Sequence, residues 1–188
     1  MNILKILLGA AFIAMVAPAF AAYDVLDAID QARKSYEAND LGNAKQSLDL
    51  ASQLIGQKNA ESFAVLLPAP LPGWKADKAQ TAAVGMAMFG ASSATRVYSN
   101  EKGDNVEVAI TGDSAMIMQF ATILANPQIA GAMGKLVRVG NQRAVQSAEG
   151  DIHMVISNKF LVMVTGSGPP DAKMAYAGAV NVDKLSKM

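Results

Sequence analysis

The chain contains no cysteine, and this absence excludes several kinds of site and of stabilising bond. Disulfides, cysteine-ligated metal centres and thiol catalysis are all impossible, so packing must stabilise the fold. Histidine is nearly as scarce, since His153 is the only one. No Gly-x-Ser-x-Gly or His-Glu-x-x-His segment accompanies it, and a half-exposed strand histidine without a catalytic task is the simpler interpretation. The thin supply of catalytic side chains predicts a protein that is not an enzyme and carries no cofactor.

An excess of charge of one sign is also missing, because 16 basic residues are balanced by 16 acidic ones. Binding to nucleic acid requires a basic stripe, which this chain lacks. A strongly anionic membrane surface is an equally poor partner for a chain without net charge. We therefore expect neither nucleic acid nor a membrane surface among its partners.

Long apolar runs are absent after the first 21 residues. Residues 1–21 combine Lys5, an apolar core and the small-x-small segment Ala19-Phe20-Ala21, which is the pattern of a secretory signal. A retained membrane anchor is the alternative, but the apolar run is shorter than the roughly 20 residues of a spanning helix, and Pro18 interrupts it. We expect a mature chain that begins at Ala22, has no membrane span and is periplasmic or secreted.

A dense run of prolines divides the chain. Residues 66–74 hold three prolines and a glycine before the only tryptophan. Each proline fixes its own φ, lacks an N–H and keeps the preceding residue out of the helical region, so this segment must be extended. Trp74 is expected to anchor it on protein surface. The sequence thus predicts a helical hairpin over 22–60, a proline-rich joint over 61–80 and an α+β domain over 81–188.

Apolar residues recur at helical spacing on both sides of Asn39, a residue suited to the left-handed conformation that ends a helix. The predicted stripes are Val25, Ile29, Ala32 and Tyr36 in the first helix, and Ala44, Leu48, Ala51 and Leu54 or Ile55 in the second. Residues Tyr36, Asn39-Asp40-Leu41, Ala44, Leu48 and Ala51 resemble a tetratricopeptide (TPR) helix pair. One repeat cannot bury a continuous core, because such arrays need about three. The hairpin must therefore pack on its own domain, on a second copy or on another protein.

Beyond the joint the apolar residues alternate two by two, which is the period of a half-buried strand. Strands are predicted at 84–89, 95–99, 106–111, 136–139, 142–148, 152–157 and 160–166, and helices near 114–125 and 171–187. Short links between the last four strands predict an antiparallel meander, with Gly140-Asn141 as a type II′ turn. The predicted class is α+β, with a mostly antiparallel sheet of six or seven strands and helices packed on one apolar face.

Two resemblances follow from these features. The order of a Pro-Gly-Trp entry, strands, a helix, a meander and a final helix resembles the compact sandwich of the PsbP and Mog1-like proteins and their periplasmic DcrB relatives. The segment Leu66-Leu67-Pro68-Ala69-Pro70-Leu71-Pro72-Gly73-Trp74 is similar to one in a family of exported proteobacterial proteins that offers no activity to carry over. The first resemblance implies a fold, the second implies export, and neither implies a reaction.

Methionine is plentiful, and Met86, Met88, His153 and Met154 are candidate ligands for Cu(I), because thioether sulfur is a soft donor. The alternative is that these methionines fill gaps in the core. Arginines on the predicted strands are the other polar groups that a cleft near His153 would gather.

The function that the sequence predicts is an exported, non-catalytic binding or accessory module that acts through protein–protein contacts. Its partner would be an envelope protein or a second copy, and the candidate contact residues are Tyr36, Leu41, Leu48 and Trp74. The alternative is a carrier of a small ligand or of Cu(I), which would use a cavity between sheet and helices or the methionines.

Overall fold

The computed structural model describes residues 24–82, 91–112 and 114–188, and the side chains of residues 115 and 116 are not part of that description. The predicted signal and the predicted strand that contains Met86 and Met88 lie outside the described residues.

Two antiparallel helices form the N-terminal hairpin, α1 (Val25–Glu37) and α2 (Leu41–Leu66). Asp24 caps α1 by accepting a hydrogen bond from the Val25 N–H at 2.6 Å. Asn39 has a φ of 58°, which confirms the left-handed residue predicted between the helices. Asp40 then caps α2 by accepting from the Asn43 N–H at 3.1 Å, and this hydrogen bond lowers the pKa of the Asp40 carboxyl.

Helix α2 is longer than the hairpin requires and continues past residue 60, where the joint was predicted to begin. Nothing between residues 61 and 66 breaks a helix, whereas Pro68 disfavours the helical region for Leu67. Leu67 is accordingly extended, with φ −63° and ψ 138°. The first half of α2 therefore packs on α1, and the second half packs on the sheet.

The sheet has eight strands among the described residues, and every strand pair is antiparallel. They are β1 (Trp74–Ala76), β2 (Gln80–Ala82), β3 (Ser92–Asn100), β4 (Asn105–Gly112), β5 (Lys135–Val139), β6 (Gln142–Gln146), β7 (Ile152–Ile156) and β8 (Phe160–Thr165). Their order is β1-β3-β4-β8-β7-β6-β5, with β2 also paired to β3. The meander β5 to β8 is confirmed. The short strands β1 and β2 lie where the sequence predicted the joint or its end.

Four further helices in the described ranges complete the α+β fold, and this class is confirmed. They are α3 (Ala115–Ala125), α4 (Pro127–Met133), α5 (Pro170–Ala179) and α6 (Val182–Leu185). The predicted final helix is thus divided in two, and α4 forms where the sequence predicted a small-residue segment. Asn126 starts α4 by accepting from the N–H groups of Gln128 and Ile129, with Pro127 in its first turn.

Helices cover both faces of the sheet rather than one. The core face carries Val108, Ile110, Met154 and Val162, together with their neighbours, and is covered by the end of α2 and by α5. Helices α3 and α4 lie on the opposite, outer face, where Leu124 and Ala130 pack with Val145. Strand β8 explains why both faces are covered, because it is apolar at successive positions. Leu161 is buried on the outer face, just as Val162 is buried on the core face.

Candidate functional site

The two hairpin helices contact each other through small side chains. Ala28, Ala32 and Ser35 are the buried residues of α1, and Ala44 and Ala51 are their buried counterparts in the first half of α2. Small residues allow the two backbones to approach closely, but they leave the larger apolar side chains outside the helix contact. Within the predicted stripes, Ala32, Ala44 and Ala51 are therefore buried, whereas Ile29, Tyr36 and Leu48 are exposed.

A group of large apolar side chains on the hairpin faces solvent, and we call it the hairpin face. Its members, with their exposed fractions, are Leu26 (68%), Ile29 (43%), Tyr36 (70%), Leu41 (60%), Leu48 (56%) and Ile55 (46%). The three members on α2 are seven residues apart, so they form one stripe along that helix. Three predicted contact residues, Tyr36, Leu41 and Leu48, belong to this face.

Both stripes lie on the same side of the hairpin. Successive helix residues are rotated by about 100°. Seen along each helix from its N-terminus, Ile29 and Tyr36 are rotated from the buried stripe of α1 in the same direction as Leu48 and Ile55 are rotated from the buried stripe of α2. Because the helices are antiparallel, equal sense brings the two stripes to one side. The other side is polar, and there Gln31, Gln46, Ser47 and Gln53 line a shallow cavity with Ala28, Asp49 and Leu50.

Two basic residues border the hairpin face at helical spacing, Arg33 beside Ile29 and Lys45 beside Leu48, and each pairs with an acidic residue farther round its helix. On α1, Arg33 Nη2 lies 3.9 Å from Asp30 Oδ1, and on α2, Lys45 Nζ lies 2.6 Å from Asp49 Oδ2. Each pair is locally neutral and well exposed. The hairpin face thus has an apolar centre and a polar rim, which is the usual anatomy of a protein–protein contact.

Trp74, the fourth predicted contact residue, packs on its own domain. Its ring is half-buried and meets Tyr176 edge to face, with 5.6 Å between centroids. Tyr176 in turn lies 4.3 Å from Tyr98, centroid to centroid. Burial raises the pKa of Tyr98 to about 12, so its hydroxyl stays protonated. That hydroxyl donates to the Pro68 carbonyl at 2.7 Å, which fixes the proline-rich segment on the core face.

His153 and Met154 lie on opposite faces of β7. Met154 is fully buried on the core face, whereas His153 is half-buried on the outer face and stacks on Phe120 of α3, with 5.7 Å between ring centroids. Adjacent strand residues point apart, so these two side chains do not converge on one metal ion. Burial lowers the pKa of His153, and nearby Asp151 opposes this effect. Among the described residues no three His, Asp or Glu side chains form a group able to hold a metal ion.

The strand arginines separate into two places. Arg96 donates from Nη1 to the Pro68 carbonyl at 3.2 Å and belongs to the attachment of the proline-rich segment. Arg138 and Arg143 are cross-strand partners on β5 and β6, on the outer face that also carries His153. The sequence could place these arginines on strands, but only the register brings two of them side by side.

None of the helices in the described ranges combines the length and the hydropathy that crossing a bilayer requires. Comparison with known proteins found no matching family model, no matching curated protein and no matching solved structure.

Proposed function

We propose that this chain is an exported, non-catalytic binding module that acts through protein–protein contacts, and that the hairpin face is its contact surface. The observation that supports this proposal is the exposure of large apolar side chains on one side of two helices, which are Ile29 and Tyr36 on α1 and Leu41, Leu48 and Ile55 on α2. Exposed apolar groups rimmed by polar residues are characteristic of interaction sites. The resemblance of the hairpin to a TPR helix pair, a protein-binding unit, agrees with this role.

The size of the hairpin face fits a second copy of the chain as its occupant. At about 30 Å² per methylene, the five side chains on this side present roughly 400 Å² of apolar surface, or roughly 800 Å² for two copies, which is close to the apolar part of a standard interface. A standard interface buries about 1,600 Å², of which about 57% is apolar. Two hairpins placed face to face therefore supply most of the apolar area of a complete interface.

The rim also fits a second copy. Because the Asp30–Arg33 and Lys45–Asp49 pairs are each neutral, two identical faces meet without net repulsion. The product would be a four-helix bundle with two-fold symmetry, in which the same residues are used by both copies. An envelope protein with an apolar helix of its own is the alternative occupant.

Sedimentation equilibrium of the purified chain between about 1 and 100 µM tests this proposal. We expect a monomer–dimer equilibrium that Leu48→Glu weakens at least tenfold, because the substitution places a carboxylate at the centre of the apolar contact. The matched control is Val65→Glu, which adds the same charge to an 83% exposed valine of α2 outside the hairpin face. Circular dichroism of both variants checks that the helices are retained.

Three results would count against the proposal. A wild-type chain that remains monomeric at 100 µM would contradict the second copy as occupant. Equal dimerisation of the Leu48→Glu variant and the wild type would show that the contact surface lies elsewhere. If both glutamate variants lost dimerisation to the same extent, the added charge rather than its position would be responsible.

A further inference from the structure

Two arginines face each other across neighbouring strands, with no counter-charge in the part of the chain that the structure describes. Arg138 of β5 is the register partner of Arg143 of β6. The two-residue turn Gly140-Asn141 is closed by the hydrogen-bonded pair Val139–Gln142, so the arginines occupy the next, non-hydrogen-bonded pair. At such positions the two Cα atoms are only about 4.5 Å apart, and the side chains emerge next to each other.

This placement is unfavourable, by an amount that solvent reduces because both arginines are exposed, and a bound anion would relieve it. Like charges directly opposite each other destabilise a pair of strands. Within the described residues, neither guanidinium takes part in an ion pair or a hydrogen bond. The pair thus presents two adjacent, unneutralised forks of N–H donors, a geometry suited to a carboxylate or a phosphate group.

Protection of the sheet edge does not account for both arginines. Strand β5 is the last strand of the sheet, and charged residues on such a strand discourage pairing with other chains. Lys135 and Arg138 already provide charge on β5. Arg143 belongs to β6, which is paired on both sides, so its charge adds repulsion without protecting an edge.

The arginines stand beside an apolar cavity. Arg138 and Arg143 line a cavity of about 360 Å³ between the outer face of the sheet and the link from α3 to α4. Its other lining residues are Leu124, Pro127, Leu136 and Val137. This volume lies at the lower end of the range for small-molecule sites, which combine apolar walls with a few polar groups.

We propose that this arginine cavity binds a small amphipathic anion. The two guanidinium groups hold its carboxylate or phosphate, and a short apolar portion packs on Leu124, Pro127 and Leu136. Binding neutralises the arginine pair and removes apolar surface from water, so both parts of the ligand contribute. This site lies on the outer face of the sheet and is independent of the hairpin face.

Calorimetric titration of the purified chain with four probes tests the proposal. Octanoate and octyl phosphate carry both features, octanol lacks the anion, and inorganic phosphate lacks the apolar portion. We expect saturable binding of octanoate, of octyl phosphate or of both, at least tenfold tighter than that of octanol or inorganic phosphate. The relative affinity of the two amphipathic anions identifies the preferred head group.

The decisive variant is Arg138→Gln with Arg143→Gln, which should lose at least tenfold in affinity for the preferred probe. Its matched control is Lys78→Gln with Lys102→Gln, which removes two exposed positive charges outside both the cavity and the hairpin face and should bind as the wild type does. The decisive variant relieves a like-charge pair, so its thermal midpoint without ligand should equal or exceed that of the wild type, which shows that it is folded.

Other results would overturn the proposal. They are the absence of saturable binding of both amphipathic anions, equal affinity for octanol or for inorganic phosphate, and unchanged affinity in the decisive variant. Equal losses in the decisive and control variants would show that net charge rather than the arginine cavity attracts the probe.

Discussion

Lys173 is the only charged side chain among the described residues that is almost completely buried, with 1% of its surface exposed. Its Nζ donates to Asp151 Oδ1 at 2.6 Å and to the Glu149 carbonyl at 2.9 Å. The ammonium group therefore joins α5 to the turn between β6 and β7. Asp151 keeps about a quarter of its side chain in solvent, so the two partners are not equivalent.

This asymmetry predicts unequal effects of removing either partner. Asp151→Asn leaves a buried ammonium without a carboxylate, and we expect the free energy of unfolding to fall by about 3 kcal/mol. Lys173→Met removes the buried charge and leaves a carboxylate that water can reach, so we expect a loss of only about 1 kcal/mol. Urea unfolding of both variants measures the difference.

The control for these variants is Asp49→Asn, which breaks the exposed pair with Lys45 at the same 2.6 Å separation. We expect it to change the free energy of unfolding by less than about 0.5 kcal/mol, because solvent screens exposed pairs. A larger loss in the Lys173→Met variant than in the Asp151→Asn variant would contradict the assigned burial of the ammonium group.

His153 is the only histidine, so its titration can be followed without assignment. Burial against Phe120 disfavours the charged imidazole and lowers its pKa below the usual 6.5. The unfolded chain then binds this proton more readily than the folded one. His153 therefore contributes a loss of stability that begins as the pH falls through about 6.5 and is complete below the folded-state pKa.

We expect the single imidazole Hε1 resonance of an untagged protein to titrate with a midpoint below 6.5. A midpoint at or above 6.5 would show that Asp151 outweighs burial. Urea unfolding of His153→Gln provides the second measurement. This variant lacks the loss of stability that protonation of His153 causes. Its free energy of unfolding relative to that of the wild type should therefore rise as the pH is lowered from 7.5 to 5.

At the scale of elements, local chemistry made several features predictable. Gly140 has a φ of 58°, as the first central residue of a type II′ turn requires, and Asn39 is left-handed between the hairpin helices. Pro68 limits α2 because it acts on the residue before it. These signals depend on one or two neighbouring residues, so they can be identified without knowledge of the fold.

Features that depend on distant partners were not predictable. Strands β1 and β2 are three residues each, and they are strands only because β3 lies beside them. One such feature did have a signal in the sequence: the unbroken apolar run in β8 indicates that a helix packs on the outer face at Leu161. For the candidate sites, helical spacing identified Tyr36 and Leu48, and the resemblance to a TPR helix pair added Leu41. The meeting of Arg138 with Arg143 required the register.

At the scale of the whole molecule, stability should be uneven. Helix α1 packs mainly on α2, and its buried residues are two alanines and a serine, whereas β4 and β8 lie in the centre of the sheet. Little apolar area opposes the opening of α1. We therefore expect amides of α1 to exchange with solvent at least tenfold faster than amides of β4 and β8, measured by hydrogen exchange at low protein concentration.

The proposed dimerisation through the hairpin face adds a second expectation to this experiment. Protection of α1 should increase between about 1 and 100 µM in the wild type and should stay constant in Leu48→Glu, since only the wild type covers Ile29 and Tyr36. If the amides of α1 exchanged as slowly as those of β8 at the lowest protein concentration, the predicted uneven stability would be wrong.

Helix α2 joins the hairpin to the sheet without a break. Its 26 residues, at about 1.5 Å each, give a rod about 39 Å long. Whatever occupies the hairpin is thereby held at a constant distance and angle from the arginine cavity. In a symmetric pair of chains, the two cavities would then stand at one fixed spacing, because an unbroken helix connects each sheet to the shared contact.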